Sequence, residues 1–207
     1  MNEEAKTLDT LDQLGGHPAL DFVNTVNSWR GGEPGAEFLH DYEDVLRWHR
    51  MAGLIGPHSS RALGGRTARA EARALQGVRA FRNSLHAIFQ AVATAAPLPQ
   101  TALDHLNEAI RKTVSWRGLT ASGSEISCGW DFTGAPPDAI VGPVAWQAVE
   151  LLEHGEIHRI KECPLGEGCG WLFLDSSKNH SRTWCSMKTC GNSAKVKRFR
   201  ARRERAS

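Results

Sequence analysis

Cys163, Cys169, Cys185 and Cys190 fall within 28 residues, while the fifth cysteine of the chain, Cys128, stands apart. The four form two close pairs, Cys163-x5-Cys169 and Cys185-x4-Cys190, with fifteen residues between the pairs. Each pair closes a small chelate loop, and the intervening chain brings the pairs together, which suits a tetrahedral structural zinc. In a reducing compartment such thiols ligate metal rather than form disulfides. Four thiolates leave no open position on the ion, so one zinc per chain is expected to hold structure and not to catalyse. Cys128 reads as a small buried hydrophobe.

Three neighbouring patterns compete for the same chemistry. The run Gly166-x-Gly168-x-Gly170 lies inside the first chelate loop and lacks the spacing of a phosphate-binding fingerprint. His154 and His158 would share a metal only on a continuous helix, which Gly155 opposes. His180 could replace one thiol as a ligand, but it falls in a predicted turn and competes with four well-placed cysteines.

Immediately after the last cysteine the chain turns basic. Residues 195–205 carry seven Lys/Arg and a single acid, Glu204. On a helix Val196 and Phe199 lie close together and are expected to pack on the zinc core. Lys195, Arg198, Arg202 and Arg205 then form a cationic stripe that Lys197 and Arg200 widen. Such a stripe suits phosphate contacts, although positive charge at a helix C-terminus also complements the macrodipole.

The elements needed to position these groups are legible in part. Within the cysteine-rich segment, Trp171–Leu174 reads as a strand, Ser176–Ser181 as a polar turn and Arg182–Cys185 as a returning strand, with a helix opening near Cys190. A looped knuckle, a hairpin and a ligand-bearing helix follow one another as in treble-clef-like folds. Zinc binding, worth roughly 10–16 kcal/mol in finger peptides, would supply most of the folding energy of so small a segment.

Upstream, residues 19–26 read as a strand or a short helix, and Gly31, Gly32, Pro34 and Gly35 then break the chain. Val45, Leu46, Trp48 and Leu54 predict a helix from Asp41 that Gly53 and Gly56-Pro57 terminate. Leu75, Val78, Phe81, Leu85, Ile88, Phe89 and Val92 predict a long helix over about 67–95, with Arg69, Arg73, Arg79 and Arg82 on a solvated face. A third helix carries Leu103, Leu106, Ile110 and Val114, a hairpin spans 116–132, and a fourth helix runs from Asp138 to about Glu153 before Gly155. The fold class expected is α+β: a mostly helical N-terminal domain with a small sheet or hairpin over 1–160, then a treble-clef-like zinc module ending in a basic helix over 161–207.

Charge divides the same way. Residues 1–162 hold 15 Lys/Arg against 20 Asp/Glu, a balance of −5, whereas residues 163–207 hold 10 against 3, a balance of +7. A polyanion-binding tail on a body that does not touch the polyanion fits this asymmetry. The first ten residues do not resemble a signal peptide and no apolar run approaches a membrane span, so a cytoplasmic protein, nucleoid-associated when bound to DNA, is expected.

Two stretches carry a resemblance. Cys169-Gly-Trp-Leu-Phe-Leu-Asp175, Arg182-Thr-Trp-Cys-Ser-Met-Lys-Thr-Cys190-Gly-Asn192, Ala194-Lys195 and the basic run resemble the CGNR zinc finger of bacterial proteins. Leu20-Asp-Phe-Val-Asn-Thr25 resembles the opening of the ABATE domain, which precedes that finger in proteins described as stress-induced transcription regulators. The resemblance implies Cys163, Cys169, Cys185 and Cys190 as zinc ligands. It implies Arg182, Lys195, Lys197, Arg198, Arg200, Arg202, Arg203 and Arg205 as DNA contacts. The arginine that helps to name the finger is Ser193 in this chain, so its role is lost or has passed to Lys195.

The leading expectation is a transcription regulator and not an enzyme, since no catalytic constellation is visible, that binds double-stranded DNA as a homodimer. Its N-terminal domain would dimerise or sense a small-molecule effector. Asp21, Asn24 and Arg82 are candidates for a polar ligand pocket, with His17 and Arg79 nearby, against a plainer reading of Asn24 and Thr25 as turn and cap. The alternatives are a zinc-stabilised RNA-binding or protein-interaction module and an enzyme working through an N-terminal pocket.

Overall fold

The structure, a computed structural model, describes residues 7–122, 124–164 and 169–204. Helix α1 (Pro18–Val23) resolves the ambiguity at 19–26 in favour of a helix. Pro18 occupies its first turn, and the His17 ring accepts from the Ala19 amide. The turn Gly31-Gly32, with both residues at positive φ, joins two-residue strands β1 (Trp29–Arg30) and β2 (Glu33–Pro34). Helix α2 (Tyr42–Met51) starts on the Asp41 carboxylate, which accepts from Asp44 N at 2.8 Å. It ends sooner than expected, and a separate helix α3 (Pro57–Leu63) follows, so Pro57 opens an element instead of closing one.

The long helix α4 (Ala68–Ala93) is capped by Thr67 and runs through the middle of the core. Helix α5 (Gln100–Thr113), the hairpin β3 (Arg117–Ser122) and β4 (Glu125–Trp130), and helix α6 (Val141–His154) follow, with a short 3-10 turn at Pro137–Ile140 leading into α6. Two expectations fail in this body. Arg82 is fully buried, because α4 is covered on more than one side and the guanidinium finds a carboxylate inside: its two Nη atoms donate to Glu37 at 2.6 and 2.7 Å. Cys128 is exposed, because the β3–β4 hairpin carries its apolar face beyond the body, leaving Leu119 and Ile126 each 74% accessible.

The cysteine-rich segment opens on strand β5 (Ile160–Glu162), which pairs antiparallel with β6 (Leu172–Leu174) in the register Ile160↔Leu174, Lys161↔Phe173, Glu162↔Leu172. Residues 182–185 therefore are not the partner of β6, contrary to the sequence reading. The Asp175 carboxylate takes the backbone N–H of Arg182 at 3.1 Å, and Lys161 Nζ donates to the carbonyls of His180 and Arg182. These bonds hold the return as a loop instead of a ladder. One turn of π-helix, Met187–Gly191, then leads into helix α7 (Asn192–Glu204).

The body and this segment share one core. Leu172 and Phe173 of β6 are fully buried together with Phe22, Leu85, Phe89 and Val144, in a cluster that also takes in the four cysteines. At roughly 1.5–3 kcal/mol for each large apolar side chain buried, the two strand residues alone tie the segment firmly to the body. No helix among the described residues is long and apolar enough to cross a membrane.

Candidate metal centre and nucleic-acid interface

The β5–β6 hairpin has the first pair of cysteines at its tip: Cys163 follows β5 and Cys169 precedes β6, with Cys163 N donating to Trp171 O at 2.9 Å. The second pair lies across from it, Cys185 at the end of the return loop and Cys190 in the π turn, whose start is fixed by Ser186 Oγ accepting from Thr189 N. All four Sγ atoms lie within 4.8 Å of one another and all four residues are buried. Cys169 and Cys185 approach to 3.4 Å, and Cys185 and Cys190 to 3.5 Å. A tetrahedral zinc with Zn–S of about 2.3 Å spaces its sulfurs about 3.8 Å apart, so this cluster needs little adjustment to hold one.

Electrostatics favour the same occupant. The Cys169 and Cys185 thiols are pushed well up from their ordinary range, first by hydrogen bonding with Cys163 and further by burial. Several thiolates cannot share so small a space without a cation among them. His180, the weaker ligand candidate, is not in the cluster. It stands in the return loop at φ +50, its ring stacked 6.0 Å from His158. Gly166 and Gly168 lie outside the described residues.

Gly170 locks the knuckle to the body. It has φ +67, and a Cβ there would fall 2.2 Å from the Trp29 carbonyl oxygen, so only glycine admits this approach. Trp29 N donates to Cys169 O at 2.6 Å, Trp171 Nε1 to Val26 O at 2.8 Å, and Leu174 N to Gly15 O at 2.8 Å. Asn24 completes the seam, its side-chain amide donating to Leu172 O at 2.8 Å while its oxygen accepts from Leu172 N at 3.1 Å. The Asn side chain thus bonds to the free edge of β6 as another strand would.

These contacts account for the polar residues that suggested a pocket. Asn24 is spent on β6, Arg82 on Glu37, and Asp21 accepts from Gly15 N at 2.8 Å with its carboxyl pushed by burial up to about 6. Each has an internal partner. Arg182 is likewise engaged internally. It donates to the carbonyls of Leu14, Trp184 and Cys185, and its guanidinium lies 4.5 Å from the Phe173 ring centroid. These bonds make it a buttress of the loop that carries Cys185. The seam residues were missed in the sequence, although Asn24 inside an apolar run and the indole N–H of Trp171 were signals that a buried acceptor or donor was required.

Lys195, Lys197, Arg198, Arg200, Arg202 and Arg203 all lie exposed on α7, as does Ser193 at the position of the missing arginine, while Arg205 is outside the described residues. The Arg203 guanidinium stands over the Phe199 ring. Val196 and Phe199, expected on the zinc core, are also in solvent, because α7 docks through Ala194.

Comparison with curated proteins finds no match. Residues 16–155 match the ABATE family, described as "Putative stress-induced transcription regulator", and residues 159–203 match the CGNR zinc finger. The four clustered thiols could hold the one zinc ion of that finger. The first match covers more than half of the chain, which therefore belongs to the ABATE family and carries a CGNR zinc finger behind the ABATE domain.

Proposed function

We propose that this protein binds double-stranded DNA through α7 and acts as a transcription regulator by binding and not by catalysis. The observation that carries the reading is a helix whose six described cations all face water, rooted in a metal site that fixes the direction in which it leaves the body. A polyanion satisfies those charges and the acidic body keeps its distance from it.

One module has a small contact area, so specific recognition calls for two copies on two half-sites. The β3–β4 hairpin supports a homodimer. Its outward face presents Leu119, Ala121, Ile126 and Cys128 with no charge among them, so a second copy meets no repulsion there. For an effector, the body offers an open groove of about 450 Å³ between α4, α5 and the turn at Pro137–Ile140, bordered by Phe81, His105, Lys112 and Asp138. That volume is in the range of small-molecule sites.

The test is binding of the zinc-loaded full-length chain to duplex DNA across a salt series. With about five phosphates neutralised per module, log K should fall against log salt with a slope of roughly −4 to −5. A flat dependence removes α7 as the binding surface. Sedimentation of an Ile126→Asp variant checks the dimer: dissociation to monomer is expected, and an unchanged mass sinks the hairpin interface.

A further inference from the structure

Val196 and Phe199 are 48% and 62% exposed on a helix that has only one buried residue, Ala194. With 3.6 residues per turn, Ala194 and Ala201 fall on one side of α7, while Val196, Phe199 and Arg203 fall within about 60° of one another on the opposite side. Lys195 and Arg202 border this stripe along one flank and Arg200 along the other, while Arg198 lies toward the Ala194 side. The Arg203 guanidinium stands 6.0 Å from the centroid of the Phe199 ring. The apolar pair thus points straight away from the protein and is framed by cations.

We propose that Val196 and Phe199 are base-reading residues: α7 enters the major groove, its flanking cations meet the phosphates on both walls, and the apolar pair meets base edges at the floor. This rests on the reading of α7 as the DNA-binding element. The major groove, about 12 Å wide, admits an α-helix, and the apolar feature on its floor is the C5-methyl group of thymine. The recognised class is therefore duplex DNA with thymine under Val196 or Phe199. An anionic membrane is the other surface a basic helix with an apolar stripe can use, but helices that lie in bilayers bury a wider face than two adjacent side chains. The charge arrangement supports a groove, since cations on both flanks match two phosphate walls.

Sites selected from a random duplex library by the full-length, zinc-loaded protein provide the test, with binding measured for the wild type, Phe199→Ala and Lys195→Gln/Arg202→Gln. Phe199 is exposed, and an unchanged melting temperature confirms that its variant folds. Phe199→Ala is expected to lower the preference for the selected site over random duplex by about tenfold with the salt slope unchanged, a loss typical of one good base contact. Lys195→Gln/Arg202→Gln should weaken both duplexes alike and flatten the slope by about 2. Replacing thymine by deoxyuridine in the selected site removes only the methyl group, and should cost the wild type affinity while leaving Phe199→Ala indifferent. Equal cost to both proteins overturns the proposal, as does full discrimination by Phe199→Ala. Tighter binding to vesicles of phosphatidylglycerol than to duplex overturns it in favour of a membrane. If the wild type binds no duplex at all, the DNA-binding reading itself falls; steep salt dependence with an inert Phe199 removes only this inference.

Discussion

The two halves of the zinc finger stand in opposite relations to the rest of the molecule. Its β5–β6 hairpin lies inside the common core, with Leu172 and Phe173 fully buried and Asn24 bonded along the strand, whereas α7 exposes every residue from Lys195 to Glu204. The first half takes its stability from the body, and the second takes from the metal site its starting point and direction. A finger of this kind is an extension of the domain before it, so loss of the hairpin should injure the whole chain and loss of the helix should not.

The sharpest way to break this contrast is to cut the chain at two places. Ending it after Gly155 strips β6 from α1 and α4, and the fragment is expected to lose its near-ultraviolet circular dichroism and to aggregate. A fragment that stays folded would show the body to be self-sufficient, as the sequence suggested. Next in size is loss of the metal. Chelation, or Cys185→Ser, should lower the melting temperature of the whole chain by more than about 10 °C in a single transition, given the scale of zinc-coupled folding energies. Two separate transitions, with the body's unmoved, would uncouple the site from the core.

Acid should act on the body side of the comparison. Burial pushes His49 down to about 4, and burial with the nearby Arg82 does the same to His86, so the fold holds both neutral. Their contribution is complete above the ordinary histidine value and is lost as pH falls from about 6.5 toward 4. Asp21 opposes this: with its carboxyl raised to about 6, the fold gains stability from it over about pH 6 to 4. Two histidines against one carboxyl leave a net loss of about 3 kcal/mol by pH 4, measurable by urea unfolding. A gain in stability over that range would contradict the burial of these rings.

Asn24→Ala tests the seam alone. Removing a side chain that both donates to and accepts from Leu172 leaves a buried amide and carbonyl unmet and should cost about 2–3 kcal/mol, read as a shift in the urea midpoint. A cost under about 0.5 kcal/mol would mean that the core holds β6 without it. The smallest effect belongs to the second cut: ending the chain after Gly191 should move the melting temperature by no more than about 2 °C, because α7 buries only Ala194. A large fall would show that α7 packs on something other than water.

The zinc site was legible because its ligands are one residue type at short spacing, a pattern that needs no knowledge of the fold. Helix α4 was legible for a similar reason, its apolar period being sustained over 26 residues. The seam was not, since Asn24 and Leu172 are 148 positions apart and no local rule links a polar residue near one end to a strand edge near the other. The partner of β6 was mistaken on related grounds: Arg182–Cys185 has strand-like residues, but Asp175 and Lys161 had already taken its backbone groups. Val196 and Phe199 were assigned to the core because a helix period reveals only that two residues share a face, and not which way that face turns.

The closeness of Gly170 to Trp29 bears on how such fingers can be exchanged between proteins. A graft cut at residue 159 would carry the cysteines and the basic helix, but it would leave the Trp171 indole without the Val26 carbonyl and Cys169 without the Trp29 amide. Leu172 and Phe173 would meet whatever surface the new host happened to offer. A working transplant has to bring α1 and β1 along, so the unit of exchange in this architecture is a composite of two segments from opposite ends of the chain, joined at a glycine.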